Sequence, residues 1–402
     1  MSALKAFLRT KVGTLVAVLL VIVALAFVGK AYAADTGVKT IGGDCCADLE
    51  ERVAELEATV ARKGNRKLSL TVYGQINKTL LHWRADGESN TVVTENSAAE
   101  SGIGFKGEAR ITPDTKAGYV LEIGVGGYDD SLFNGIGYGP LFGGDTNGIY
   151  TRRSYLYIEN AKVGKLSVGL ASQASDGIVE MSTANTDSAV RMLSLRPFIG
   201  PSLGDALDIF DGTRTDLVRY DSPVLEGFVL SASWSNADLT SNGSVWDVAL
   251  RYAKEWGQFR VVAGAAYRQG LVVPTIGATE DVIVYAGSAS VMHMPTGVFL
   301  TGAAGRFEGD GVLTFLPQID GWQFQAGVEE KWLPVGKTTV FGEFGELKID
   351  GFSGTPRVIG LGVVQNFESA ALDVYVDWRR YTFDSGSDDE LDAFMGGARV
   401  RF

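Results

Sequence analysis

The residues whose types and spacing suggest chemistry are mostly charged, and the acids gather in one stretch. Between 174 and 213 the chain carries Asp176, Glu180, Asp187, Asp205, Asp208 and Asp211 against only Arg191 and Arg196. Bases stand at Lys106, Arg110, Arg219, Arg251, Arg260 and Arg268, with one of Arg152 and Arg153, on alternate positions of extended segments elsewhere. Acids facing bases across a water-filled gap create a transverse field that orders water and sorts ions by sign. Acids turned to external solvent would do neither, and the sequence leaves both placements open.

Catalytic patterns fare worse. A Ser/His/Asp arrangement needs its members within hydrogen-bond reach, but the two histidines, His82 and His293, fall at opposite ends of a structure spanning a ~30 Å bilayer core. Both read as interfacial polar residues. Adjacent Cys45 and Cys46 form no disulfide framework and lack zinc-ligand spacing, although in an oxidising compartment they can cross-link chains or pair with each other. The run Gly135-Ile136-Gly137-Tyr138-Gly139-Pro140 looks like a phosphate cradle, yet it opens no helix and follows no βαβ unit, so it reads as an external loop. No enzyme, metal or cofactor is implied. A formal charge of −12 argues against a nucleic-acid partner.

The elements that position these residues begin with a leader. Lys5, Arg9 and Lys11 precede an apolar stretch over 12–28, and Ala31-Tyr32-Ala33 has the small-x-small form of a signal-peptidase site. Residues 1–33 are thus expected to be a signal peptide, leaving Ala34 as the mature N-terminus; the alternative is an uncleaved anchor. Export follows either way. Residues 34–66 form an N-terminal segment with a short coiled coil at about 45–63, where Cys46, Leu49, Val53, Leu56 and Val60 make an a/d seam that Gly64 ends. So short a helix is marginal alone, so it is expected to form against copies of itself or the barrel. The bland alternative is a solvated linker helix.

From 67 the period changes to two. Trp246, Val248, Leu250 and Tyr252 alternate with Asp247, Ala249, Arg251 and Ala253, and Trp322, Phe324, Ala326 and Val328 alternate with Gln323, Gln325, Gly327 and Glu329. One face is bulky and apolar, the other polar or small. A soluble sandwich would leave its core unfilled on that pattern, whereas a membrane barrel puts the apolar face against lipid. Sixteen segments are expected, at 67–84, 100–111, 115–126, 150–160, 164–173, 214–222, 226–236, 244–254, 257–268, 281–292, 296–307, 318–331, 336–349, 356–367, 370–382 and 391–402. Tight turns at 112–114, 223–225 and 294–295 alternate with long connections at 127–149, 174–213 and 308–317. The fold class is therefore an all-β, sixteen-stranded antiparallel transmembrane barrel over 67–402. Trp83, Trp234, Trp256, Trp322, Trp332 and Trp378 read as interfacial girdle residues, with a sugar-stacking track as the alternative.

Several stretches now resemble a known family in order and spacing: Gly104-Phe105-Lys106-Gly107, Arg153-Ser154-Tyr155, Gly164-Lys165-Leu166, Val218-Arg219-Tyr220-Asp221-Ser222-Pro223, residues 45–50 and the terminal Phe402. They are similar to the trimeric general porins of Gram-negative bacteria, and more closely to alphaproteobacterial, rhizobial-type porins with an N-terminal coiled coil. That resemblance implies a homotrimer among outer-membrane lipid and lipopolysaccharide, a third loop folded into the lumen, and Phe402 as part of an assembly signal. Leu170 stands after Gly169 where such porins often carry an inward Arg, which implies a weaker basic wall. The expected function is passive diffusion of small hydrophilic solutes and ions through a water-filled channel constricted by loop 174–213. A substrate-selective channel, or a tether from outer membrane to peptidoglycan through the N-terminal segment, is the alternative. Ala34 resembles the ends of barrel proteins joined to peptidoglycan through the terminal amine. The excess of acids in the barrel and in loop 174–213 predicts a weak preference for cations.

Overall fold

The computed structural model describes residues 68–85, 87–96, 98–125, 148–187, 210–236, 244–275, 278–309, 318–351, 354–384 and 388–402. The leader, Ala34, Cys45, Cys46 and the expected coiled coil lie outside the described residues, as do Arg191, Arg196, Asp205 and Asp208. The strands are β1 (Ser69–Ala85), β2 (Glu88–Glu95), β3 (Gly102–Thr112), β4 (Thr115–Val125), β5 (Ile149–Asn160), β6 (Gly164–Ser172), β7 (Arg214–Asp221), β8 (Phe228–Asn236), β9 (Ser244–Trp256), β10 (Phe259–Thr275), β11 (Ala278–His293), β12 (Val298–Gly309), β13 (Ile319–Leu333), β14 (Gly336–Ile349), β15 (Pro356–Phe367), β16 (Leu372–Asp384) and β17 (Asp388–Arg401).

All pairings are antiparallel, and β1 closes the sheet on β17 in a register from Gln75↔Arg401 to Ala85↔Leu391. β2 and β3 share one wall position, β2 pairing with Lys78 to Ala85 of β1 and β3 with Ser69 to Gln75. The result is a closed barrel of sixteen wall positions. The sequence expectation placed the second segment at 100–111 and missed β2. Between β2 and β3 the ladder breaks: Ser101 Oγ accepts the Asn77 N–H at 3.0 Å, and Asn96 Nδ2 donates to the Tyr375 hydroxyl at 2.8 Å.

Alternation sets the two faces. On β9 Trp246, Val248 and Leu250 are exposed outside while Asp247 and Ala249 are buried inside, as lipid and lumen require. Strand lengths make the rim uneven, since β6, β7 and β8 have 9, 8 and 9 residues while β10 and β11 have 17 and 16. A spanning strand needs roughly 9–11 residues, so the longer wall overshoots the bilayer. The long-wall strands carry ion pairs near the ends away from the short turns: Arg306–Asp320 at 2.6 Å, Arg357–Glu346 at 2.9 Å and Arg380–Asp392 at 2.9 Å. Outward charge costs about 0–1 kcal/mol near the interface against ~2–4 kcal/mol at the midplane, which is why the pairs belong at the ends. On the opposite side, at the short turn between β7 and β8, the Lys254 ammonium 2.9 Å from Glu226 holds that carboxyl below the usual carboxylate range.

One expectation about the inner face fails. It is not uniformly polar or small: Phe299, Phe341, Tyr375, Ile319 and Leu347 are buried there. Trp83, expected in the girdle, is also inside, in an apolar cluster with Val284, Phe307, Ile319, Leu347, Tyr381 and Met395. The reason is that Val179 and Phe210, from the connection between β6 and β7, join this cluster and help turn the long wall's inner face into a packed core.

Candidate functional site

Residues 174–187 of the connection between β6 and β7 lie along the inner wall, held by side chains from strand after strand. Asp247 of β9 accepts from the Ser175 N–H and the Ser175 hydroxyl, each at 2.6 Å, and from the Ser233 hydroxyl of β8. Ser288 of β11 donates to the Ile178 carbonyl, and Ser290 takes the Thr183 N–H at 3.0 Å. On β13 Glu329 accepts the Asn185 N–H at 2.8 Å and Gln325 the Thr186 hydroxyl at 3.3 Å. Asn185 Nδ2 reaches Asp373 of β16 at 3.1 Å, and Asp187 pairs with Arg399 of β17 at 3.1 Å. A buried backbone needs its donors satisfied, and this wall satisfies them with carboxylates and hydroxyls.

Three of the bases expected to face the loop across the lumen hold it instead. Arg251 donates to the carbonyls of Ala174 at 2.7 Å and Asp176 at 2.6 Å, Arg268 donates to the Asp211 carbonyl, and Arg219 donates to those of Ser172 at 3.0 Å and Gln173 at 2.9 Å. A guanidinium fork suits two adjacent carbonyls, and alternation cannot tell such a tether from a pore-lining charge. Arg260 pairs with Glu255 at 2.9 Å close to the short turn at Gly257, and Arg110 is exposed near the turn at Pro113, so both stand at the short-turn end, away from residues 174–187 of the loop. Of the loop acids, Asp187 is paired with Arg399, and Asp211 Oδ1 accepts the Gly177 N–H at 2.7 Å. Glu180 also has a partner. Asp176 is different: among the described residues no hydrogen bond or ion pair claims its carboxylate.

The wall left open runs from β3 to β7. Alternation allows one of Arg152 and Arg153 inside, but the register between β4 and β5 jumps from Glu122↔Arg153 to Ile123↔Thr151, leaving Arg152 as a bulge. Both therefore reach Glu122, Arg152 at 3.2 Å and Arg153 at 3.5 Å, and Arg152 also lies 3.4 Å from Glu100. Lys106 pairs with Glu108 at 3.0 Å. Arg214 of β7 stands within electrostatic reach of Asp176, Glu100, Arg152 and Arg153, although its register with Ser172 gives it the outward parity of Val218 and Tyr220. Leu170 pairs with Ser154 and shares the outward parity of Leu166 and Val168, so the inward position there is Gly169. Three tyrosines brace the same wall: Tyr73 donates to Glu122 at 3.2 Å, Tyr150 to Glu100 at 2.9 Å and Tyr157 to Glu108 at 2.8 Å.

The sequence matches the family of Gram-negative porins over residues 19–388. This chain belongs to that family. The fold agrees: the anion-selective porin from Comamonas acidovorans superposes with a TM-score of 0.59 at 15% identity, covering 83% of this chain and 100% of that one. The in-vitro folded OmpT of Vibrio cholerae gives 0.56 at 15% identity over 85% and 99%. Salmonella typhi OmpF, in complex with daunomycin, gives 0.55 at 15% identity over 84% and 98%. At such identities the likeness is one of fold.

Sequence reasoning missed several residues of the porin's site. Asp247, Glu329 and Arg399 hold the loop, and Arg214 stands within electrostatic reach of Asp176 and Arg152. Alternation marked Asp247 and Glu329 as inward; nothing local marked them as anchors. The apolar seat of Phe210 was missed as well. A Cβ at Gly305 would collide with the Phe210 ring, and one at Gly321 would come within 2.7 Å of it, so glycine is needed where the loop returns. His82 bonds Thr91 at 2.9 Å and His293 bonds Thr296 at 2.8 Å, on strand ends at opposite sides of the barrel.

Proposed function

We propose that this outer-membrane porin is a passive diffusion channel for small hydrophilic solutes and ions, narrowest where loop 174–213 faces the β3–β7 wall. The observation that carries the reading is the lashing of residues 174–187 along β9 to β17, which keeps the loop inside the barrel and against one wall. Asp176 and Arg214 then set the field in the open section, with Lys106, Arg152 and Arg153 on the wall, while Asp205 and Asp208 supply further acids from the same loop. Purified protein in a planar bilayer should give discrete, ohmic steps in KCl and pass small uncharged sugars in liposome swelling. A protein that inserts and neither conducts nor passes sugar overturns the reading.

The same reading extends to assembly. A homotrimer among lipid and lipopolysaccharide is supported by family membership and by an OmpT structure of Vibrio cholerae described as a trimer form. On this reading residues 1–33 are a removed leader and residues 34–66 a periplasmic segment, with Cys45 and Cys46 cross-linking neighbours, Ala34 carrying a peptidoglycan fragment and Phe402 serving in assembly. Unboiled mild extraction that yields only monomer, or wall preparations whose Ala34 amine is always free, would remove the corresponding part.

A further inference from the structure

The short-turn half of the lumen holds a charge cluster that touches the start of the loop through Arg219. Lys106, Lys116, Lys165 and Arg219 stand there on β3, β4, β6 and β7, with Arg110 of β3 nearer the turn, and three carboxylates, Glu108, Glu159 and Asp221, stand among them. The carboxylates are already engaged. Glu108 takes Lys106 at 3.0 Å, Lys116 at 3.1 Å and the Tyr157 hydroxyl at 2.8 Å. Glu159 takes Lys116 at 3.3 Å, and Asp221 takes Arg219 at 2.8 Å and the Ser231 hydroxyl at 2.6 Å.

Lys165 is left over. Its register partners are Glu159 and Asp221, yet among the described residues no carboxylate lies within 4.0 Å of its ammonium. The ammonium instead sits 4.6 Å from the centroid of the Tyr157 ring and 5.5 Å from that of Tyr155, a cation–π seat that fixes the charge without neutralising it. Among the described residues the half-buried Tyr155 hydroxyl has no hydrogen-bond partner. Lys106 lies within electrostatic reach of Lys165, and its side chain is 44% exposed. An ammonium has three donors, so its bond to Glu108 leaves others for a ligand.

We propose that Lys165, Tyr155 and Lys106 form a binding subsite for small oxyanions, the phosphate or carboxylate group of a passing solute. The surplus cation attracts the anion, the two ammonium groups and the phenol donate to its oxygens, and an anion between two like charges relieves their repulsion. The subsite lies one residue inside the short turn at 161–163, beyond the Asp176–Arg214 section, so a solute leaving the constriction meets it next.

The proposal rests on the diffusion reading and is tested in the same planar bilayer. Inorganic phosphate, gluconate and glucose are added in turn at fixed KCl. Phosphate or gluconate should lower conductance along a saturating curve, and glucose should not; whichever anion blocks names the group preferred. Lys165→Gln should raise the half-blocking concentration about tenfold, the effect of losing one charged hydrogen bond of moderate strength. Tyr155→Phe should raise it a few-fold, Lys165→Arg should keep block near the parent's, and KCl conductance should persist in all three. Conducting parent channels without saturable anion block, or a Lys165→Gln channel that blocks like the parent, overturn the subsite alone. Absence of KCl conductance overturns the diffusion reading and the subsite with it.

Discussion

Asp247 illustrates how a single wall residue governs the pore. Its carboxylate accepts from the Ser175 amide, the Ser175 hydroxyl and the Ser233 hydroxyl, and is only 1% exposed. Asp247→Ala strands these buried donors at about 1–3 kcal/mol each, which is enough to free the start of the loop while the barrel's ladder stays intact. Single-channel records of the variant should show a larger mean conductance with frequent substates. Traces indistinguishable from the parent's would mean that the remaining bonds, such as Thr183 to Ser290, hold the loop unaided. Little of this role was legible in the sequence. Alternation identifies Asp247 as lumenal, but a lumenal acid that lines water and one that clasps a loop have the same pattern. The difference lies in contacts with Ser175, 72 residues away in sequence.

At the scale of elements, most strands were legible and the exceptions have physical reasons. Period two with bulky outer residues marks β9 and β13 because lipid demands apolar side chains at every second position. β2 carries no such signature: ESNTVVTE is largely polar and alternates weakly. The β5 bulge was equally hidden, since Arg152-Arg153 reads the same with or without a register jump. The loop's return through Phe210 is a further element that only the structure reveals, because its seat is built from Gly305 of β12 and Gly321 of β13. Gly305→Val should expel Phe210 from that seat, since the new side chain occupies the space of the ring. The folded barrel should survive, with heat-resistant migration on gels retained. Proteases added from outside should then cut within 174–213, where the parent resists. An uncut loop in a folded Gly305→Val barrel would show that Phe210 is not what fixes the return.

The whole molecule sets the sign and strength of ion preference through two contributions with different ranges. Acids outnumber bases in the barrel sequence, so the mouths carry negative potential and enrich cations; salt screens this over a Debye length of about 10 Å at 0.1 M. On the proposed reading the narrow section acts at short range, through Asp176 and Arg214, which stand within electrostatic reach of each other. Of the loop acids first assigned to the pore, Asp187 and Asp211 are engaged by Arg399 and by the Gly177 amide, so they contribute less than their formal charge. A weak cation preference at low salt that fades as KCl rises is the expected outcome, measured as the zero-current potential across a tenfold gradient. Asp176→Asn should move that potential towards anions and Arg214→Gln towards cations, and both shifts should persist at high salt because they arise inside the constriction. If instead both variants shift the potential only at low salt, the two residues lie in a wide vestibule and the narrow section is elsewhere. If neither shifts it at any salt, the pair does not face the permeating ions at all, and selectivity belongs to the mouths alone.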